Sequence, residues 1–343
     1  MSKYRKRLPQ LGNAVCLTDG EIENTLSLLH PLDVPQPAAF DMLKHASGSD
    51  MLRAYFARYA ALARSHGVGL VLESPTMRAT RDWGAILGYD AVALAQAQSR
   101  AIELLLEIRS TFEAADTPVV LSGTLGPRTD GYNPALRMST YEAAHYHASS
   151  VEAFAQTEAD MVTARSMTYV EEASGIALLA SACSIPAVIS FKPGPSGRLL
   201  SGDTLSQAIE RIDRETQSHP AYYMVECTHG SQLAEILGHG GARLGRVRGV
   251  RLTRSHSSLD LSDAQALARH YRTLSSMLPN LSVIGIEYDR FDAMQPVRSH
   301  EVAAAGVPYS VEFAIGTSGR RSGPALMRSA THAAEELSAR AFS

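Results

Sequence analysis

Gly69-Leu-Val-Leu-Glu-Ser-Pro75, the amphipathic stretch 91–110 and Val119-Val-Leu-Ser-Gly123 together make one repeat of the pattern that decides the fold. A continuous run of Val and Leu reads as a strand buried on both faces. The stretch that follows repeats apolar residues at three- and four-residue spacing, as a helix with one buried face does. Working outward, similar apolar runs occupy 14–17, 160–164, 187–191, 222–225, 247–252 and 281–286, which with 69–72 and 119–121 makes eight. Helical patterns at 50–65, 140–157, 206–217 and 262–277 lie between them. Eight strand–helix units over roughly 280 residues predict an α/β fold, a closed (β/α)8 TIM barrel. The alternative is a doubly wound open sheet. Glu21 follows Asp19-Gly20, however, and no G-x-G-x-x-G turn opens the first helix. The barrel is expected over 1–297, with a helical C-terminal extension over 298–343.

Composition narrows the function classes. The chain has 343 residues, 45% apolar and 20% charged, enough for a large core and too apolar for disorder. No apolar run reaches membrane-spanning length, and the basic Met1-Ser-Lys-Tyr-Arg-Lys-Arg7 has no apolar region behind it, so neither a membrane span nor a secretory signal is expected. Lys and Arg number 32 against 35 acids, which argues against a nucleic-acid partner. The three cysteines, Cys16, Cys183 and Cys227, are too few for a disulfide framework and suit a reducing cytoplasm. A small-molecule substrate is the expected partner.

In a (β/α)8 barrel the active site lies at the C-terminal strand ends. Read in order these are Asp19-Gly20, Glu73-Ser74, Ser122-Gly-Thr124, Arg165-Ser166, Ser190-Phe-Lys192, Glu226-Cys227, Thr253-Arg254 and Glu287-Tyr288. Acids, hydroxyls, a thiol and bases converge there. Polar strand ends also occur in any α/β protein because loops follow them.

Leu17-Thr-Asp-Gly-Glu-Ile-Glu23, the segment from Val71 to Gly84, Leu121-Ser-Gly-Thr-Leu-Gly-Pro127, Val188-Ile-Ser-Phe191 and Tyr223-Met-Val-Glu-Cys-Thr-His229 resemble the homocysteine S-methyltransferase family. The resemblance runs from about residue 14 to about 294. It implies the same barrel and methyl transfer from a sulfonium or betaine-type donor to the sulfur of homocysteine. It also implies a zinc ion held by three thiolates, one after strand six and a Cys-Cys pair after strand eight. Zinc would turn the acceptor thiol into a nucleophilic thiolate at neutral pH.

The departures are as informative as the matches. Cys227 corresponds to the strand-six cysteine, but the Gly-Gly-Cys-Cys of the family corresponds to Gly285-Ile-Glu-Tyr288. Asp19 matches the acid that helps to hold the homocysteine amino group, whereas Arg165 stands where several members carry a second acid. An arginine there favours a carboxylate or phosphate over an ammonium.

These readings give Glu287, Cys227 and Tyr288 as catalytic candidates, and Asp19, Glu73, Ser122, Arg165 and Glu226 as substrate-binding ones. Glu287 would act as general base and Tyr288 would orient the acceptor. A mixed metal site would use Cys227, His229 and Glu287; the competing reading is an inert, inherited Cys227. The cofactor expectations are zinc in a non-standard site and S-adenosylmethionine or S-methylmethionine as donor. Alternatives to a methyltransferase are a barrel reused on a thioether, amino acid or carboxylic acid, and an inactive binding or regulatory homologue.

Outside this set, His145 and His147 read as ordinary helix surface, Trp83 as packing beneath a loop, and Lys192 as a barrel residue beside an exposed loop. Gly316-Thr-Ser-Gly-Arg-Arg-Ser-Gly323 reads as a connector to a helix that packs on the barrel or on a second subunit, so a homo-oligomer is expected.

Overall fold

In the computed structural model of the chain, the described residues are 2–12, 14–20, 22–23, 38–128, 133–227, 230–252 and 264–286. The chain divides into two units, Met1–Val307 and Pro308–Ser343, and every described residue belongs to the first. The expected C-terminal extension lies outside the described residues.

Eight strands close a barrel in sequence order. They are β1 Cys16–Thr18, β2 Gly69–Glu73, β3 Val119–Leu125, β4 Met161–Met167, β5 Ala187–Phe191, β6 Tyr222–Cys227, β7 Val247–Leu252 and β8 Val283–Ile286. Every neighbouring pair is parallel, including β1 with β8. The described α-helices are α1 Ala46–Ser65, α2 Arg81–Ile86, α3 Ala91–Phe112, α4 Thr140–Ala155, α5 Val170–Ala182, α6 Leu205–Glu215, α7 Gly230–Gly238 and α8 Ala264–Met277. No helix among the described residues is long and apolar enough to cross a membrane.

Local chemistry fixes where these helices begin. Asp90 caps α3 by accepting from the Ala93 amide at 2.7 Å. Ser139 with Glu142, and Thr204 with Gln207, form capping boxes at α4 and α6, each satisfying two amides that a helix start leaves open. Helix α1 buries Leu52, Tyr55, Phe56, Tyr59, Ala60 and Ala63, a stripe at three- and four-residue spacing. Each large apolar side chain buried in this way stabilises the fold by about 1.5–3 kcal/mol.

Two differences from the sequence reading have physical causes. Strands β3 and β4 extend past the apolar runs, because Ser122, Thr124, Thr163 and Arg165 continue them with polar residues on the inner face. Helix α5 has no amphipathic signature in the sequence because it is apolar almost all round. It buries Val170, Ala173, Ile176, Ala177 and Ala180, and Gly175 lets it approach the α4 backbone so closely that a Cβ would meet Thr140 O and Ala144 N. The reading of His145 and His147 as helix surface is right for His145, which is exposed, and needs correction for His147. His147 is buried, and its Nε2 lies 3.0 Å from Glu172 Oε1.

Candidate active site at the barrel mouth

Strand register sorts the barrel interior into two layers. Inward positions alternate along each strand, and the pairings Val71↔Val120, Ser122↔Met161, Val188↔Tyr222, Met224↔Gly249 and Val283↔Cys16 place them on one surface. The floor is apolar: Cys16, Val71, Val120, Met161, Val188, Tyr222, Met224 and Val283 form one cluster. Above it, the inward positions become Thr18, Glu73, Ser122, Thr163, Arg165, Ser190, Glu226 and Arg251, all buried. A fold that stacks nine-tenths-buried charges on an apolar floor must pair them, since an isolated buried ion is costly.

The pairing is extensive. Arg251 Nη2 lies 2.9 Å from Glu73 Oε2 and donates to Thr18 Oγ1 at 2.8 Å, while its Nη1 donates to the Asp19 carbonyl at 2.6 Å. One side chain of β7 thereby ties itself to β1 and β2 across the barrel. Arg165 Nη1 approaches the same Glu73 oxygen at 3.6 Å, an ion pair too long for a hydrogen bond. Gly285 makes room for Arg251: a Cβ there would lie 3.1–3.3 Å from its methylenes and guanidinium.

Asp19, just past β1, accepts from the Glu73 amide at 2.8 Å. Burial first, then the Glu73 charge, push its carboxyl up to about 7, opposed by Arg251, the Glu73 amide and Arg165. Two tyrosines of α1 flank it. Burial raises Tyr59 to about 12 and Tyr55 well above its ordinary value, and the nearby Asp19 charge adds to both. Gly20 is small of necessity, because a Cβ there would overlap the Tyr59 hydroxyl.

Glu226 is held differently, by neutral donors. Its Oε1 accepts from the Ser166 amide at 2.9 Å and from Ser190 Oγ at 2.7 Å, and its Oε2 accepts from Ser166 Oγ at 2.8 Å. Ser166 adopts φ 57°, a left-handed conformation that a serine enters only at a cost. Ser122 and Thr163 share a hydroxyl–hydroxyl bond of 2.7 Å beside this carboxylate's side of the barrel.

Of the substrate-binding candidates, Asp19, Glu73, Ser122, Arg165 and Glu226 all lie in or beside this polar layer. Among the catalytic and metal candidates, Glu287, Tyr288 and His229 lie outside the described residues. Cys227 ends β6 one position beyond the inward Glu226 and joins the apolar cluster packed between barrel and helices. Burial, then the Glu226 charge, push its thiol up to about 12. The other two cysteines are far from it in the fold: Cys16 belongs to the floor, its thiol also raised to about 12 by burial, and Cys183 caps the C-terminus of α5. None of the three cysteines is in a disulfide. No group of three or more His, Cys, Asp or Glu able to hold a metal occurs among the described residues.

Sequence reasoning missed Arg251, Thr18 and the two tyrosines, and met Ser166 only as one of the strand-end residues. Arg251 sits inside what reads as the apolar run 247–252, and its signal was available: an arginine two residues from Gly249 on the inward face of a buried strand. Tyr55 and Tyr59 gave no signal, since aromatic residues on a buried helix stripe read as core.

A profile of the homocysteine S-methyltransferase family matches residues 16–280. This chain belongs to that family. Among solved structures, it is similar to the homocysteine methyltransferase MmuM from Escherichia coli. The metallated form superposes with a TM-score of 0.65 at 16% identity, covering 84% of this chain and 96% of that one. The oxidized form gives 0.64 at 16% identity over 84% and 96%, and the apo form 0.58 at 15% over 84% and 95%. At that identity the likeness establishes the barrel alone. A comparison with curated proteins finds no match. The family sequence and the barrel agree, and the family's zinc chemistry is what the residues present must be tested against. Three thiolates converging on one ion are not available from Cys16, Cys183 and Cys227, which occupy the floor, an outer helix end and the β6 terminus.

Proposed function

We propose that this family member acts on a small molecule bound over the polar layer at the barrel mouth, as a methyltransferase that does not use a three-thiolate zinc site. The observation that carries this reading is Glu226, a buried carboxylate caged by Ser166 and Ser190 and register-paired with Arg251. A carboxylate fixed by three donors, two of them from Ser166 in its left-handed conformation within β4, is preorganised to receive a polar group without reorganising. Asp19, Glu73, Ser122 and Arg165 complete the binding surface. Glu287 is assigned as the general base for the acceptor and Tyr288 as its orienting hydroxyl, with S-methylmethionine or S-adenosylmethionine as donor. Cys227, its thiol protonated at neutral pH, contributes no free thiolate. A mixed site would need His229 and Glu287 beside it. Three cysteines outside any disulfide agree with a reducing, cytoplasmic setting.

The two guanidiniums at the mouth favour a second reading, in which the barrel has been reused for another reaction on a carboxylic acid or amino acid. Methyl transfer from each donor to small thiols, followed by mass spectrometry, separates the two. Turnover that Glu226→Gln lowers at least tenfold supports the methyltransferase; its absence with every thiol overturns it. Metal analysis of protein purified without chelator bears on the mixed site. About one zinc per chain would support it, and less than a tenth would exclude it.

A further inference from the structure

The charges of the polar layer are unevenly matched. Glu73 has a guanidinium on each of two sides, Arg251 Nη2 at 2.9 Å and Arg165 Nη1 at 3.6 Å. Asp19 feels both, since Arg251 and Arg165 each pull its carboxyl back down against burial. Glu226 is as deeply buried, at 1% exposure, yet it makes no ion pair among the described residues. Its three bonds come from neutral donors, the Ser166 amide, Ser166 Oγ and Ser190 Oγ. Such donors hold a carboxylate in place without supplying the opposite charge, and a buried charge without a partner is costly.

A cation stands beside it and is turned away. Arg251 on β7 is the register partner of Glu226, so the two side chains leave the sheet next to each other on its inner face. Both terminal nitrogens of Arg251 are nevertheless committed to β1 and β2, on the Asp19 carbonyl, Thr18 Oγ1 and Glu73. Gly285 on β8 permits that lean, because a Cβ there would press on the Arg251 methylenes. Arg165, the residue before Ser166, likewise reaches across the barrel to Glu73. Lys192, two residues past Ser190, has its own contact elsewhere. The chain therefore builds the geometry around Glu226 and leaves its charge to be balanced from outside.

The bond count says by what kind of group. A carboxylate offers about four lone-pair sites. Oε1 accepts two bonds and Oε2 one, so the unused site is on Oε2. We propose that Glu226 receives a primary ammonium group of the bound small molecule, one N–H completing the set on Oε2 and the charge balancing the carboxylate. A sulfonium or quaternary ammonium carries the charge but no N–H, and so cannot make that charge-assisted bond. Glu226 on this assignment selects an amine and is not the counter-ion of a sulfonium donor. The inference rests on the reading that a small molecule binds over this layer and does not require methyl transfer.

The test is calorimetric titration of the full chain with methylthioethylamine, its N-trimethylated derivative and methylthioethanol. Saturable binding of the primary amine is expected, with both other probes at least about tenfold weaker. Glu226→Gln should weaken the amine at least about tenfold and leave the alcohol unchanged. The glutamine can keep all three bonds, with Ser166 Oγ as acceptor on Nε2, so its ligand-free unfolding midpoint should equal or exceed that of the wild type. Equal affinity for the quaternary probe, amine affinity that survives Glu226→Gln, or no amine binding at millimolar concentration would overturn the assignment. A lower midpoint for Glu226→Gln would overturn it as well, by showing the charge to be balanced within the chain. So would zinc that co-purifies with the wild type and is lost in Glu226→Gln, since a metal would then hold the place given to the ammonium. Amine binding without any methyl transfer would leave this assignment standing and remove the methyltransferase; turnover of a thiol without selectivity for an amine would do the reverse.

Discussion

The two halves of the barrel interior use the same alternation to opposite ends. In the floor, inward positions carry Val71, Val120, Met161, Val188, Met224 and Val283, and stability comes from area and fit. Two residues further along the first five of these strands the inward positions carry Glu73, Ser122, Thr163, Ser190 and Glu226, and on β7 Arg251 follows two residues after Gly249. There the same depth of burial turns every side chain into a question of partners. The floor tolerates any residue of the right volume; the mouth layer tolerates only residues whose charges and protons close a network. That contrast is what marks the upper layer as the candidate site.

The strongest break of the contrast is at Arg251. Replacing it with Met turns a mouth position into a floor position and strands Glu73 in a buried site with only the longer Arg165 contact. The expected loss is about 3–5 kcal/mol, measured by denaturant unfolding, because the uncompensated charge outweighs the apolar gain. Adding Glu73→Gln to Arg251→Met should recover a substantial part of it. A double variant as unstable as the single one would mean that the ion pair is not what holds the layer.

Asp19 sharpens the comparison through pH. Three carboxyls, Asp19, Glu73 and Glu226, face two guanidiniums, and burial lifts Asp19 to about 7. Its folded value stands above its unfolded one, so the native state holds a proton that the unfolded chain has lost. Stability from this group is therefore fully present below about pH 4, falls as pH rises toward 7, and is flat above that. The effect is on the order of a few kcal/mol. Asp19→Asn should flatten that part of the stability profile while retaining the acceptor for the Glu73 amide. A profile unchanged by the substitution would place the titration elsewhere.

The smallest effect is expected at Ser166. Glycine accepts φ 57° without strain but gives up the hydroxyl bond to Glu226. The two terms are each about 1 kcal/mol and opposite in sign, so Ser166→Gly should shift the unfolding free energy by less than about 1 kcal/mol. Its larger consequence should be for ligand binding, since the carboxylate loses the group that fixes Oε2. A loss of stability as large as that of Arg251→Met would show that the caged carboxylate is structural cement like the ion pair.

Much of this is legible in the residues themselves. The run 69–75, repeated in kind along the chain, carries the barrel, because parallel strands buried on both faces must be continuously apolar. Asp19, Glu73, Ser122, Arg165 and Glu226 follow from a rule of the fold, that chemistry collects where strands end. Arg251 escapes that rule because a charged residue inside an apolar run reads as a strand-end polarity one register too early. Ser166 falls under that rule, but its role lies in a backbone angle that residue type does not show, and His147 was misread because periodicity gives the face of a helix but not the carboxylate of Glu172 that a neighbouring helix brings to it.

The sequence by itself determined the strand count, the family and the separation of the three cysteines along the chain. Those follow from local periodicity and residue identity. Which charges meet was decided only by closing the barrel. Barrel closure laid β7 beside β8 and β8 beside β1, and so brought Arg251 within reach of Glu73 and of Asp19 and Thr18, which lie 232 and 233 positions away along the chain. Buried electrostatics depends on distances of a few ångströms, and no spacing along the chain encodes those.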